Sequence, residues 1–123
     1  MLFLQVRNFR ELNIWNDSIH YTIELYKALE GLPAFERYGL RSQMTRASVS
    51  IPSNIAEGCR GSIKEHIHYL NIALGSSFEL ESQLVIVDRT KMLESSICQD
   101  LIIRLNSLQK QINAYRTYIS SLQ

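Results

Sequence analysis

The chain has 123 residues, with thirteen Lys plus Arg against twelve Asp plus Glu and a formal net charge of +1. This length supports one hydrophobic core and one domain over residues 1–123, and the balanced charge excludes a partner attracted by overall field alone. Two isolated cysteines, Cys59 and Cys98, are too few for a disulfide framework or a zinc site, and no run reaches the ~18 apolar residues of a membrane span, so a cytoplasmic location is expected.

Residues 1–7 are read as a loose N-terminal arm. Asn8 and Glu11 stand in capping-box positions before a first helical block, whose apolar face is read as Leu12, Trp15, Ile19, Thr22, Tyr26 and Leu29. Gly31 and Pro33 stop it. The second block runs from Leu40 through Met44, Ala47, Ile51 and Ile55 and ends at Gly58 and Gly61. Pro52 inside it removes a main-chain donor and crowds the carbonyl of Ser48, at a cost of about 3 kcal/mol in a regular helix, so a helix bend is expected there.

Ser62 with Glu65 caps the third block, whose core face is read as Ile63, Ile67, Leu70, Leu74, Phe78, Val85 and Met92. The fourth starts near Ser96, with Gln99 at the matching cap position, and carries Leu101, Leu105, Leu108, Ile112, Tyr115, Ile119 and Leu122. Helical spacing throughout, with short connections, predicts an all-α fold, an antiparallel up-down-up-down four-helix bundle.

No catalytic constellation is visible. Glu65 and His68 have the spacing of half a di-metal site, but both project away from the stripe of Ile63, Ile67 and Leu70. His20 and His66 stand alone and read as surface or packing residues. There is no phosphate loop, nucleophile elbow or redox cysteine pair. No enzyme activity, cofactor or metal is expected.

The polar residues of the second block are more informative. Gln43, Ala47, Ser50, Asn54 and Glu57 flank its apolar stripe, while Glu81 falls near the centre of the third block's apolar face and needs a donor. Gln43, Ser50, Asn54 or Arg46 can supply one, which predicts a structural polar network of Gln43, Ser50, Asn54, Glu57 and Glu81 that fixes register; a ligand or metal sensor on Asn54, Glu57 and Glu81 is the rival reading. Tyr69, Leu80, Leu84 and Val87 lie to one side of the third block's core face, an excess of apolar surface read as an oligomer interface.

Residues 37–60 carry Arg37, Arg41, Arg46 and Arg60 against Glu57 alone. Arg104, Lys110 and Arg116 sit in an acid-free C-terminal stretch, but their spacing of six scatters them around the helix. Subunits turning Arg41, Arg46, Arg60 and Lys64 toward a common axis would build a basic nucleic-acid-binding surface from a modest patch.

Tyr38, Gly39, Leu40, Gln43, Arg46, Ala47 and the run Ser50 to Gly58 resemble the bacterial four-helix-bundle family encoded in intervening sequences of 23S ribosomal RNA genes. Phe9, Leu12 and Trp15 near the start add to the resemblance, as do Tyr69, Leu70, Ile72, Ala73, Gly75, Ser76, Glu79, Leu80, Glu81 and Leu84. The resemblance implies an antiparallel bundle, a likeness to the accessory protein of diversity-generating retroelements, a ring-like homopentamer, and a basic central surface for RNA or DNA, without enzyme activity. The near-neutral charge departs from the strongly basic retroelement proteins. The leading expectation is therefore a non-enzymatic homo-oligomeric scaffold that binds nucleic acid. Its alternative is a protein-binding adaptor that uses an exposed apolar helix face.

Overall fold

The computed structural model describes residues 8–123, so the arm read at residues 1–7 lies outside the described residues. Four α-helices follow in order, α1 (Asn13–Leu29), α2 (Leu40–Gly58), α3 (Ile63–Arg89) and α4 (Ser95–Ser121), and the described residues contain no strand. Among the described residues each helix packs its backbone closely on its two neighbours around the bundle, α2 against α3 most extensively. Residues 59–62 and 90–94 are the tight links on either side of α3, as an antiparallel arrangement requires. No helix among the described residues is long and apolar enough to cross a membrane.

Side-chain bonds across the α3–α4 seam report the register. Gln99 Nε2 donates to Asp88 Oδ2 at 2.8 Å, Asn106 Nδ2 to Glu81 Oε1 at 3.0 Å and Arg116 Nη1 to Asn71 Oδ1 at 2.6 Å. Each step forward on α4 is matched by an equal step back on α3. Gln99 thus ties two helices together instead of capping α4, whose N-cap residue Glu94 makes no side-chain capping bond. Asn8 likewise caps only a single 3-10 turn, Phe9–Glu11, and α1 begins after it at Asn13, its N-cap residue Leu12 making no side-chain capping bond. Ser62 does cap α3, its Oγ accepting from the Glu65 amide at 3.2 Å.

One continuous core fills the bundle. On α2 it takes Met44, Ala47, Ile51 and Ile55, as the periodicity predicts. On α1 the buried line is Ile14, Ser18, Tyr21, Leu25 and Leu29, so the predicted face is turned by about 100°. Ser18 can be buried because its Oγ donates to the Trp15 carbonyl at 2.8 Å, and Tyr21 because its hydroxyl donates to the Leu101 carbonyl at 2.8 Å. Trp15 packs at the margin, with Phe9 edge-on at 5.2 Å. On α4 the predicted line holds from Leu101 to Ile119, with Tyr115 partly buried, Leu122 exposed and Cys98 added.

The third helix corrects the expectation most. Ile63, Leu70 and Leu74 are buried as expected, but the core line continues through His66, Ala73, Ser77, Leu80, Gln83, Leu84 and Val87, and Phe78, expected inside, is 55% exposed. Leu80, Leu84 and Val87, read as an oligomer interface, are each 0% exposed within the single chain. The apolar residues on nearly every side of α3 made several faces equally plausible by pattern. The bundle selects the one that also carries small side chains, Ala73 and Ser77, where neighbouring helices come close.

Pro52 sits buried within an unbroken α2. The carbonyl that its missing N–H leaves without a helix partner is that of Ser48, which accepts across the helices: Thr22 Oγ1 of α1 shares its one proton between Ser18 O at 2.8 Å and Ser48 O at 3.2 Å. The proline thereby links α1 to α2. Thr22→Val, which keeps the shape and removes the donor, should cost about 1–2 kcal/mol in chemical denaturation. In a Pro52→Ala background the restored amide satisfies Ser48, so the same substitution should cost distinctly less.

Candidate functional site

The residues predicted to form one polar network divide between two grooves, one on each side of α3. On the α2 side, Asn54 Nδ2 donates to Ser50 O at 2.8 Å and to Ser50 Oγ at 2.9 Å, and the Ser50 and Ser76 hydroxyls meet at 2.8 Å. Gln43, Arg46 and Glu79 extend this into a polar groove of about 410 Å³. Glu57 stands apart, paired with Arg60 at 3.7 Å, both side chains well exposed. Such an exposed pair contributes little to stability.

Glu81 does not face α2 at all. Its Oε1 accepts from Asn106 Nδ2 and, at 2.9 Å, from Gln109 Nε2, and Asn106 also donates to Gln109 Oε1 at 3.0 Å. The donors that this half-buried carboxylate requires therefore come from α4. The rival ligand set of Asn54, Glu57 and Glu81 is not assembled, and no group of three or more His, Cys, Asp or Glu side chains is placed to hold a metal ion among the described residues.

The four predicted nucleic-acid contacts also separate. Arg41 and Arg46 belong to the first half of α2, while Arg60 and Lys64 flank the α2–α3 turn. At 1.5 Å per residue the two sets lie about 20 Å apart along the bundle. Within one chain they make two small basic points rather than a patch.

What sequence reading missed is the groove between α3 and α4, of about 700 Å³. Asn106 and Gln109, the donors to Glu81, line it from α4 together with Lys110 and Arg116. Asn71, Gly75 and Phe78 line it from α3. Arg116 donates to Asn71 Oδ1 at 2.6 Å and to Asn113 Oδ1. Its guanidinium is thus held by neutral amides, and neither it nor Lys110 forms an ion pair among the described residues. Gly75 is an exposed glycine in the middle of a 27-residue helix, and a Cβ built on it would meet nothing within 4 Å. Such a glycine costs about 1 kcal/mol relative to alanine, and no contact inside the chain requires it. Gly58 is the opposite case: a Cβ there would come within 2.9 Å of both Tyr69 Cβ and His66 Nδ1, so the α2–α3 hairpin closes only around glycine.

Burial favours the neutral form of five further groups. His66 is 0% exposed, with Nε2 and the Tyr115 hydroxyl 2.9 Å apart, and burial lowers its pKa. Burial likewise raises the Tyr21 and Tyr115 hydroxyls and the Cys98 thiol, and pushes Cys59 up to about 11. These groups serve packing.

The fold and grooves define a helical bundle with polar, partly cationic surfaces and a sealed core. The chain belongs to the 23S rRNA-intervening sequence protein family, whose sequence profile matches residues 10–114. A crystal structure of a protein of unknown function from the S23 ribosomal protein family of Bacteroides thetaiotaomicron VPI-5482 has the same fold. It superposes with a TM-score of 0.74 at 23% identity, over 84% of this chain and 97% of that one. No curated protein matches the chain significantly.

Because folded His66 takes up a proton less readily than it does unfolded, its contribution to stability is complete above about pH 6.5 and lost as pH falls through its lowered folded pKa. Thermal unfolding at pH 7.5 and 5.5 should show a larger loss for the wild type than for His66→Phe. Equal losses would remove His66 as the source.

Proposed function

We propose that the protein is a non-enzymatic, homo-oligomeric scaffold that binds nucleic acid through cationic points repeated around the assembly, with a homopentamer as the stoichiometry. The observation that carries this reading is the state of the cations. Among the described residues Arg41, Arg46, Lys64, Lys110 and Arg116 form no ion pair, and only Arg60 of the expected contact set does. Positive charges left without carboxylate partners remain available to phosphates, and symmetry multiplies each of them by the number of subunits. Membership in the 23S rRNA-intervening sequence family gives the reading its context.

With Leu80, Leu84 and Val87 in the core, the apolar surface for self-association is Ile72 and Ile86 on the outer line of α3, 39% and 49% exposed. Partly buried Tyr69 sits against the α2–α3 turn. Free Cys59 and Cys98 suit a reducing cytoplasm.

Light scattering coupled to size-exclusion chromatography should give a mass several times the 14.2 kDa of the chain, and a monomer would contradict the assembly. In fluorescence anisotropy, affinity for an RNA hairpin with an unpaired loop should fall about tenfold between 50 and 200 mM salt, as expected when a few phosphates are neutralised. Absence of binding at low salt would contradict the nucleic-acid role.

A further inference from the structure

We infer that the groove between α3 and α4 seats an unpaired nucleotide, its base stacked on Phe78 and its phosphate held by Lys110 and Arg116; this rests on the nucleic-acid reading above and assigns it a site. Three independent features of the groove converge on that ligand.

The first is shape. Phe78 projects its ring outward, 55% exposed, and one turn earlier Gly75 leaves open space on the same flank of the helix. A side chain at position 75 would stand beside the ring and obstruct a flat group lying on it. The volume of about 700 Å³ is within the range of small-molecule sites and leaves room for a base, a sugar and a phosphate.

The second is charge. Among the described residues no carboxylate lines the groove, Glu81 beside it is bonded to Asn106 and Gln109 rather than to a cation, and Arg116 is held by amide oxygens. The two groove cations thus keep their charge while Arg116 is fixed in place, which suits an anionic group arriving from solvent.

The third is hydrogen bonding. Because Asn71 and Asn113 offer their oxygens to Arg116, their NH2 groups are the ends left to donate into the groove. Aromatic face, amide donors and a pair of cations together are the equipment for a single-stranded segment, whose bases are free to stack. A blunt duplex buries its base faces and offers Phe78 nothing. Phe78 also lies about 80–120° around α3 from Ile72 and Ile86, so the groove opens toward α4 rather than along the proposed subunit contact.

The test uses the intact protein with short fluorescein-labelled single strands of RNA and DNA and blunt duplexes of the same length. Wild type should bind a single strand more tightly than its duplex. Phe78→Ala, a change at an exposed position, should weaken single-strand binding about tenfold with the oligomeric state unchanged. Lys110→Ala should flatten the dependence of log affinity on log salt by about 0.7. Gly75→Leu should abolish single-strand binding while raising the thermal midpoint, so loss of binding is not loss of fold. If wild type binds, but the Phe78 and Gly75 variants bind equally well and Arg41→Ala or Arg46→Ala does not, the groove assignment falls and the nucleic-acid function stands. If no strand binds wild type, both fall. A change of oligomeric state in Phe78→Ala or Gly75→Leu, with binding intact, would show that another copy covers the groove and would overturn the assignment.

Discussion

The Glu81 carboxylate, held between α3 and α4 by two neutral amides, is the interaction on which the rest of the structure depends. A carboxylate beside the core must be given donors, and Asn106 and Gln109 supply them in one register of the two helices. Asp88 with Gln99 and Asn71 with Arg116 repeat that register toward either end of the seam. The choice of amides over a cation has an electrostatic consequence. Had Lys110 or Arg116 satisfied Glu81, that cation would be tied to the acid; with the amides in that role, neither cation forms an ion pair among the described residues.

A second theme is the use of hydroxyls to make helices approach closely. Ser18, Ser48 and Ser77 are all buried, and each donates to a carbonyl three residues back in its own helix. A side chain satisfied in this way behaves as a small packing unit. Thr22 goes further, because its hydroxyl also serves the carbonyl left open by Pro52 on the neighbouring helix. The proline and the threonine therefore form one device, and the apparent defect in α2 becomes a contact between α1 and α2.

How much of this was legible in the sequence depends on whether buried polar residues replace apolar ones in the core line or only lie beside it. On α2 the stripe of Met44, Ala47, Ile51 and Ile55 is complete without the buried Ser48 next to it, and it was read correctly. On α1 and α3 the core line passes through Ser18, His66 and Ser77, so a pattern of apolar residues alone favours neighbouring faces and wrongly draws Ile19 or Phe78 inward. The fold survived these errors because helix lengths and connections do not depend on which face is buried. The groove was not legible. Lys110 and Arg116 are far apart around α4 considered by itself, and they converge only because their long side chains meet Asn71, Gly75 and Phe78 across the seam. The one local hint was Gly75, a helix-weakening residue in mid-helix without a structural reason inside the chain.

The most direct measurement of the central claim is photochemical cross-linking of a bromouridine-substituted single strand to the assembled protein, followed by peptide mapping. A base stacked in the α3–α4 groove should attach to the peptide that carries Phe78, with secondary adducts in the segment of α4 around Lys110 and Asn113. Adducts confined to residues 37–64, from protein that binds the strand, would place the nucleic acid on α2 and its turn and contradict the account.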